Sequence, residues 1–142
     1  MVTHGHGDHA RPGNRAVLAT QATLAIMRAR HGDDAGGTLQ PLGHGESLRI
    51  GDVDVLPLEA PHGNLRVFAY RIGPLGYVTD AKSLPDEACA RLTGVSVLVL
   101  NALFRTEHPT HLSFGEAIAT ARRIGAARTY LTHLTHHNTH AE

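Results

Sequence analysis

Cys89 is the only cysteine in the chain, which excludes an intramolecular disulfide and a multi-cysteine zinc site. Tryptophan is absent and aromatic residues make up only 4% of the sequence, so stacking platforms for single-stranded nucleic acid are not expected. Neither sign of charge is in excess, because 13 lysines and arginines balance 13 aspartates and glutamates. That balance gives no electrostatic ground for binding nucleic acid or an anionic membrane surface. The longest apolar stretch, Val95 to Leu100, is far too short to span a bilayer. No apolar core segment follows Met1 before the polar residues from Thr3, so no signal peptide is read and the expected location is the reducing cytoplasm. Cys89, between Ala88 and Ala90 in a helical pattern, reads as a small buried apolar residue.

What the chain has in abundance is histidine, with 12 copies against 13 for lysine and arginine together. Imidazole is the commonest metal ligand and the usual proton carrier near neutral pH. The length of 142 residues suits one domain, 1–142, and no repeat or linker divides it.

Strand and helix signals alternate along the chain. Met1 to Thr3 read as the tail of a strand, and Val17 to Ala19 as a short one. Thr20 is placed to cap a helix over Gln21 to Arg30. Gly51-Asp52 and Gly73-Pro74 each divide two apolar runs, which predicts two hairpins, Ser47–Ile50 with Val53–Leu58 and Val67–Ile72 with Gly76–Thr79. Ser83 reads as the cap of a helix with Asp86 and Glu87 in its first turn. Val95 to Leu100 reads as a strand buried on both faces. Ser113 and Glu116 form a capping box before a helix that Gly125 ends, and Thr129 to Thr132 read as a last strand. Hairpins followed by strand–helix–strand units predict an α/β layered architecture.

The strongest chemical signal is His4-Gly5-His6-Gly7-Asp8-His9. Imidazoles and a carboxylate separated by glycines suit a loop folded around cations, because glycine lets the backbone turn sharply enough for neighbouring side chains to converge. Nitrogen and carboxylate donors without thiolates favour zinc, manganese or iron over calcium. A polar N-terminus or the remnant of a tag is the bland alternative. His62, Asp80 and His133 lower its weight, since each is a ligand type standing where an apolar strand stops. Layered α/β folds put their sites at strand ends.

Thr3-His4-Gly5-His6-Gly7-Asp8-His9 resembles the His-x-His-x-Asp-His signature of the metallo-β-lactamase superfamily, and His62, Asp80 and His133 follow in that superfamily's order. Tyr77 to Asp80, Val97 to Leu103 and His108 to Ser113 resemble, more narrowly, the branch containing phosphoribosyl 1,2-cyclic phosphate phosphodiesterases. The resemblance implies an αββα sandwich and two divalent metal ions, zinc foremost, with manganese or iron as alternatives. It implies one ion on His4, His6 and His62, a second on Asp8, His9 and His133, and Asp80 bridging both. Asp8 and His111 are the implied catalytic residues, His111 as the donor of a proton to the leaving group. The implied substrate is a small or cyclic phosphate ester. A thioester, a lactone or a tRNA 3′ end are the alternatives within the fold, and an inert metal-binding fragment is the alternative outside catalysis.

Three departures from the resemblance carry expectations. The metal motif follows Met1 almost at once, which predicts a first sheet lacking its leading strands and self-association, as a homodimer, through the open edge. The chain stops shortly after His133. Relatives commonly carry Asp where Asn101 stands, which predicts weaker support of a ligand there. The remaining histidines, His31, His44, His108, His136, His137 and His140, read as structural or solvated, with His108 and His136 placed to support ligands from behind.

Overall fold

The structure is a computed structural model, and it describes residues 1–135. The expectations for His136, His137 and His140 lie outside the described residues.

Four layers stack in the order helix, sheet, sheet, helices. The outer helix α1 (Gln21–His31) starts where Thr20 accepts a hydrogen bond from the Thr23 amide, as the cap rule predicts. It packs Leu24 and Met27 onto Val17 and Ala19 of β1 (Ala16–Ala19), which pairs in parallel with β2 (Thr38–Pro41). The second sheet has six strands in chain order: β3 (Leu48–Ile50), β4 (Val53–His62), β5 (Leu65–Ile72), β6 (Leu75–Val78), β7 (Val97–Asn101) and β8 (Arg128–Thr132). The β3–β4, β4–β5 and β5–β6 pairs are antiparallel, and the β6–β7 and β7–β8 pairs are parallel. On the far face, α2 (Asp86–Leu92) and α3 (Phe114–Ile124) bury Leu92, Ala117 and Ile124 against Leu58, Leu98 and Leu100. This is the αββα arrangement, with two strands in the first sheet among the described residues. No described helix is long and apolar enough to cross a membrane.

Several sequence expectations need correction. Met1 to Thr3 form no strand; instead Val2 donates to the Leu18 carbonyl at 2.9 Å while the Thr3 carbonyl accepts from Phe68 at 2.9 Å. The segment thus ties β1 to β5 and delivers His4 to the junction of the layers. α2 begins after Pro85 rather than at Ser83, because a residue preceding proline is driven out of the helical region. β4 continues to His62 and pairs from Val55 onward with the whole of β5 through the tight turn at Gly63-Asn64. Pro57 and Pro61 obscured it in the sequence, yet they cost no ladder bond. The Glu59 amide points away from β5 and donates to His44 Nδ1 at 2.9 Å, so the prolines two residues either side replace outward-facing amides.

β7 is buried on one face only. Leu98 and Leu100 are in the core, whereas Val97 and Val99 are half-buried, because the apolar cluster between the sheets draws on β3, β4 and β5 and not on β7. Tyr77, Val99 and Tyr130 therefore form a cross-strand row on the less covered face, with Tyr130 55% exposed.

Candidate metal centre

The topology explains why ligand types separated by up to 129 positions meet. β4 and β6 are each antiparallel to β5, so they run in the same direction, and β7 and β8 are parallel to β6. The C-terminal ends of β4, β6, β7 and β8 consequently open on one edge of the sheet. β4 ends on His62, Asp80 follows β6 by two residues, and His133 follows β8 directly. His111 reaches the same edge just ahead of Ser113, whose side chain caps α3 in the predicted box with Glu116.

The loop after Thr3 closes the site from the other layer. It folds back on itself where His9 and Ala10 both donate to the His6 carbonyl, at 3.1 and 2.8 Å. Gly5 lets Ile26 lie close over the loop, since a Cβ would stand 2.7 Å from Ile26 Cδ1 and that side chain would have to move. Gly63 is required at the β4–β5 turn on two counts: φ is +58° and a Cβ would stand 2.9 Å from Thr110 Cγ2.

Asp80 is the hub. It is buried, and its two carboxylate oxygens face three imidazoles: Oδ2 lies 3.3 Å from His9 Nε2, and Oδ1 lies 3.3 Å from both His111 Nε2 and His133 Nε2. The Thr79 hydroxyl donates to Asp80 Oδ2 at 2.5 Å. Burial pushes the Asp80 carboxyl up, but the Thr79 hydroxyl and His133, His9 and His4 outweigh it and hold the group below its ordinary range. Among the described residues, Asp80 and His133 are the only non-glycine positions with positive φ, at 60° and 62°. Strain of that kind persists where the surroundings over-determine it, and it collects at functional sites.

Asn101 supplies part of that determination. Fully buried, it accepts from the Ala81 amide and donates to the Ala81 carbonyl, both at 3.0 Å. It therefore clamps the peptide next to Asp80 with a donor and an acceptor together. The expectation that an amide here weakens support of a ligand is corrected by this geometry, because a carboxylate could not donate to the Ala81 carbonyl.

The histidine side is equally ordered. Ligand atoms of His4, His6 and His62 lie within 4.8 Å of one another, as do those of His4, His9 and Asp80, and those of His62, Asp80 and His111. His62 Nδ1 donates to the Thr110 carbonyl at 3.0 Å, which leaves Nε2 as the free donor to a cation. His4 Nδ1 meets the Thr3 hydroxyl at 3.0 Å and its Nε2 faces His6 Nδ1 at 2.9 Å. Burial, reinforced by His9, pushes the His4 imidazole down to about 4, so the ring is neutral at pH 7. Burial likewise lowers His111, against the raising effect of Asp80, and the Thr110 hydroxyl meets its Nδ1 at 2.8 Å.

The predicted residues thus converge, with differences of degree. Asp8 stands at the margin, 68% exposed, with its carboxylate 3.4 Å from His9 Nε2. His111 stands as near Asp80 as His133 does. His31 reaches the Ala10 carbonyl at 3.3 Å, and His108 touches both Thr110 and His111. Sequence reasoning missed Thr3, Thr79 and Thr110; only their position beside a candidate ligand could have pointed to them. The donor set, imidazoles around a carboxylate with no thiolate, fits divalent cations of the zinc, manganese and iron group.

The model of the beta-lactamase superfamily domain matches residues 1–134. A crystal structure of a diphosphatase from the PhnP family superposes with a TM-score of 0.83 at 28% identity, over 94% of this chain and 58% of that one. A zinc-bound PqqB from Methylobacterium extorquens has the same fold, with a TM-score of 0.71 at 15% identity, over 93% of this chain and 60% of that one. An octanoyltransferase of Porphyromonas gingivalis is 37% identical over 91 residues, which are 63% of this chain and 18% of that protein. The chain thus spans 58% of the diphosphatase and 18% of the octanoyltransferase.

Proposed function

We infer, from a chain that belongs to the beta-lactamase superfamily and is similar to its PhnP branch, that the site is a dinuclear centre hydrolysing small phosphate esters. The fold is that of the metal-dependent hydrolases. The observation that carries the finer reading is the shared carboxylate. Asp80 faces His9, His111 and His133, while His4, His6 and His62 form a second group beside it. Two ligand groups touching at one carboxylate suit two ions rather than one.

His4, His6 and His62 would hold one cation, Asp8, His9 and His133 the other, and Asp80 both. Such a pair supplies Lewis acidity toward phosphoryl oxygens and lowers the pKa of water to near neutrality. The protein's own groups do the rest. Thr79 fixes one Asp80 oxygen, leaving the other toward His111 and His133. His111, with Nε2 3.3 Å from Asp80 Oδ1, is the group placed to give a proton to a departing ester oxygen, and Asp80 favours its protonated form against the effect of burial.

The test is direct. The purified protein, loaded with zinc or manganese, should retain close to two equivalents by elemental analysis and cleave bis-p-nitrophenyl phosphate. One observation favours acyl chemistry instead, the name of the Porphyromonas relative. Cleavage of an octanoyl thioester with no phosphodiester turned over would replace the phosphoesterase reading with that one.

A further inference from the structure

His111 stands on the loop between β7 and α3, and that loop is closed at its base. Leu103 donates to the Leu112 carbonyl and Phe114 to the Phe104 carbonyl, both at 2.9 Å. Within the closed loop Thr110 makes three separate attachments to the site. Its carbonyl accepts from His62 Nδ1 at 3.0 Å, and its hydroxyl lies 2.8 Å from His111 Nδ1. Its methyl stands 2.9 Å from where a Cβ on Gly63 would be, so the side chain is seated against the β4–β5 turn and its hydroxyl is aimed.

His108 decides the direction of these hydrogen bonds. Its Nδ1 faces the Thr110 amide at 3.4 Å, and an amide can only donate, so this nitrogen carries a lone pair rather than a proton. The Thr110 hydroxyl, 3.2 Å from the same nitrogen, has its own proton drawn there. Its oxygen is left to accept, and the donor within reach is His111 Nδ1. A second contact demands the same assignment. His111 Nδ1 lies 3.4 Å from His108 Nδ1, where two facing lone pairs would repel unless one nitrogen carried a proton. The His108 ring is itself braced by Phe104, with ring centres 5.5 Å apart.

We propose that Thr110 is a positioning residue: aimed by His108, its hydroxyl keeps a proton on His111 Nδ1 and reserves Nε2 for the proton given to the leaving group. As a hydroxide oxygen bonds to phosphorus, the bond to the departing oxygen breaks with its electron pair, and that oxygen takes the proton from Nε2. The ring is left neutral, with its Nδ1–H still donated to Thr110 Oγ1. The backbone carbonyl of the same residue keeps the His62 proton on Nδ1 and that ring's Nε2 bare. One residue thus sorts two imidazoles, by a carbonyl for the ring that faces a cation and by a hydroxyl for the ring that faces the leaving group. The assignment rests on the phosphoesterase reading and deepens it.

The two roles separate on substitution, because the carbonyl belongs to the backbone and the hydroxyl to the side chain. Thr110→Val removes the hydroxyl and keeps the branched shape, whereas Thr110→Ser keeps the hydroxyl and drops the methyl. The experiment is nitrogen NMR of isotope-labelled, zinc-loaded protein, with the His111 signals identified by their absence in His111→Gln. In the unaltered protein and in Thr110→Ser, His111 Nδ1 should show the shift of a protonated nitrogen. In Thr110→Val it should move toward that of a bare one, at unchanged zinc content. Hydrolysis of a dialkyl phosphate should fall at least about tenfold in Thr110→Val and recover in Thr110→Ser. Bis-p-nitrophenyl phosphate, whose aryl oxide departs without a proton, should change little. An Nδ1 signal unmoved in Thr110→Val overturns the assignment, as does Thr110→Ser as impaired as Thr110→Val. Zinc lost from Thr110→Val also overturns it, since the side chain would then act on the metal ligands. Because the nitrogen shifts are read without turnover, a His111 proton that follows the hydroxyl in a protein cleaving no phosphodiester would keep the positioning and refute the phosphoesterase reading.

Discussion

His62, Asp80 and His133 leave the six-stranded sheet at strand ends backed by the largest apolar cluster, which α2 and α3 seal with Leu92, Ala117 and Ile124. His4, His6 and His9 come from a loop whose support is a smaller cluster around Val17, Leu24 and Met27, plus the ties of Val2 to Leu18 and Thr3 to Phe68. One half of the centre is therefore set by many buried contacts, the other by few. The difference teaches where cation binding should be felt. The strand half is held by many buried contacts without any ion, so a bound cation should stabilise the loop half, which has fewer, the more.

The largest effect should come from the point where the halves meet. Asp80→Asn keeps a residue that tolerates positive φ but removes the charge. Bound metal should fall by half or more and phosphodiester hydrolysis by at least about a hundredfold. His44→Ala, which loses the acceptor for the Glu59 amide and the contact with Glu87, should keep its metal. Equal metal content in the two variants by elemental analysis would break the comparison at its root.

Next in size is the strand half's own anchor. Asn101→Ala leaves the Ala81 amide and carbonyl buried without these partners, at a cost of about 2–4 kcal/mol in urea unfolding. A cost under about 1 kcal/mol would show that the Asp80 corner is held by something else.

The loop half sharpens through pH. The His4 imidazole is lowered from 6.5 to about 4 in the folded chain, so the unfolded chain takes up its proton first as the solution is acidified. Stability is thus fully present above pH 6.5 and is lost as pH falls toward about 4. Metal-free protein should lose on the order of 1–3 kcal/mol across that window, measured as denaturation midpoints, and His4→Gln should flatten the profile. A flat profile for the unaltered chain would mean that His4 is not buried as a neutral ring.

The smallest effect belongs to the α3 cap. Ser113→Ala removes the acceptor for the Glu116 amide and should cost about 1 kcal/mol with metal content unchanged. Loss of metal in that variant would mean that His111, two residues before the cap, is bound as a ligand rather than held as a proton donor.

Much of this molecule was legible because it is written locally. The Thr20 cap, the Ser113–Glu116 box and Gly125 at the end of α3 are signals of a few residues, and the structure bears each out. The metal motif is likewise local, since glycines set beside imidazoles and a carboxylate announce their purpose within six positions. What was not legible depends on partners. β2 is a strand because β1 lies parallel to it, and Thr38 to Pro41 show no pattern of their own. The β4–β5 pair was hidden by prolines that are harmless only because their amides would face away from β5.

Residue type and order by themselves determined the donor set, imidazole and carboxylate without thiolate, and with it the superfamily. Tertiary structure alone decided how the donors are shared. The common direction of β4, β6, β7 and β8 brings His62, Asp80 and His133 to one edge, which no local pattern encodes. Packing likewise decided that Asn101 clamps Ala81, and that Thr110 touches both His62 and His111. The physical reason is that ligand chemistry resides in single side chains, whereas a distance between two of them exists only once the layers have packed.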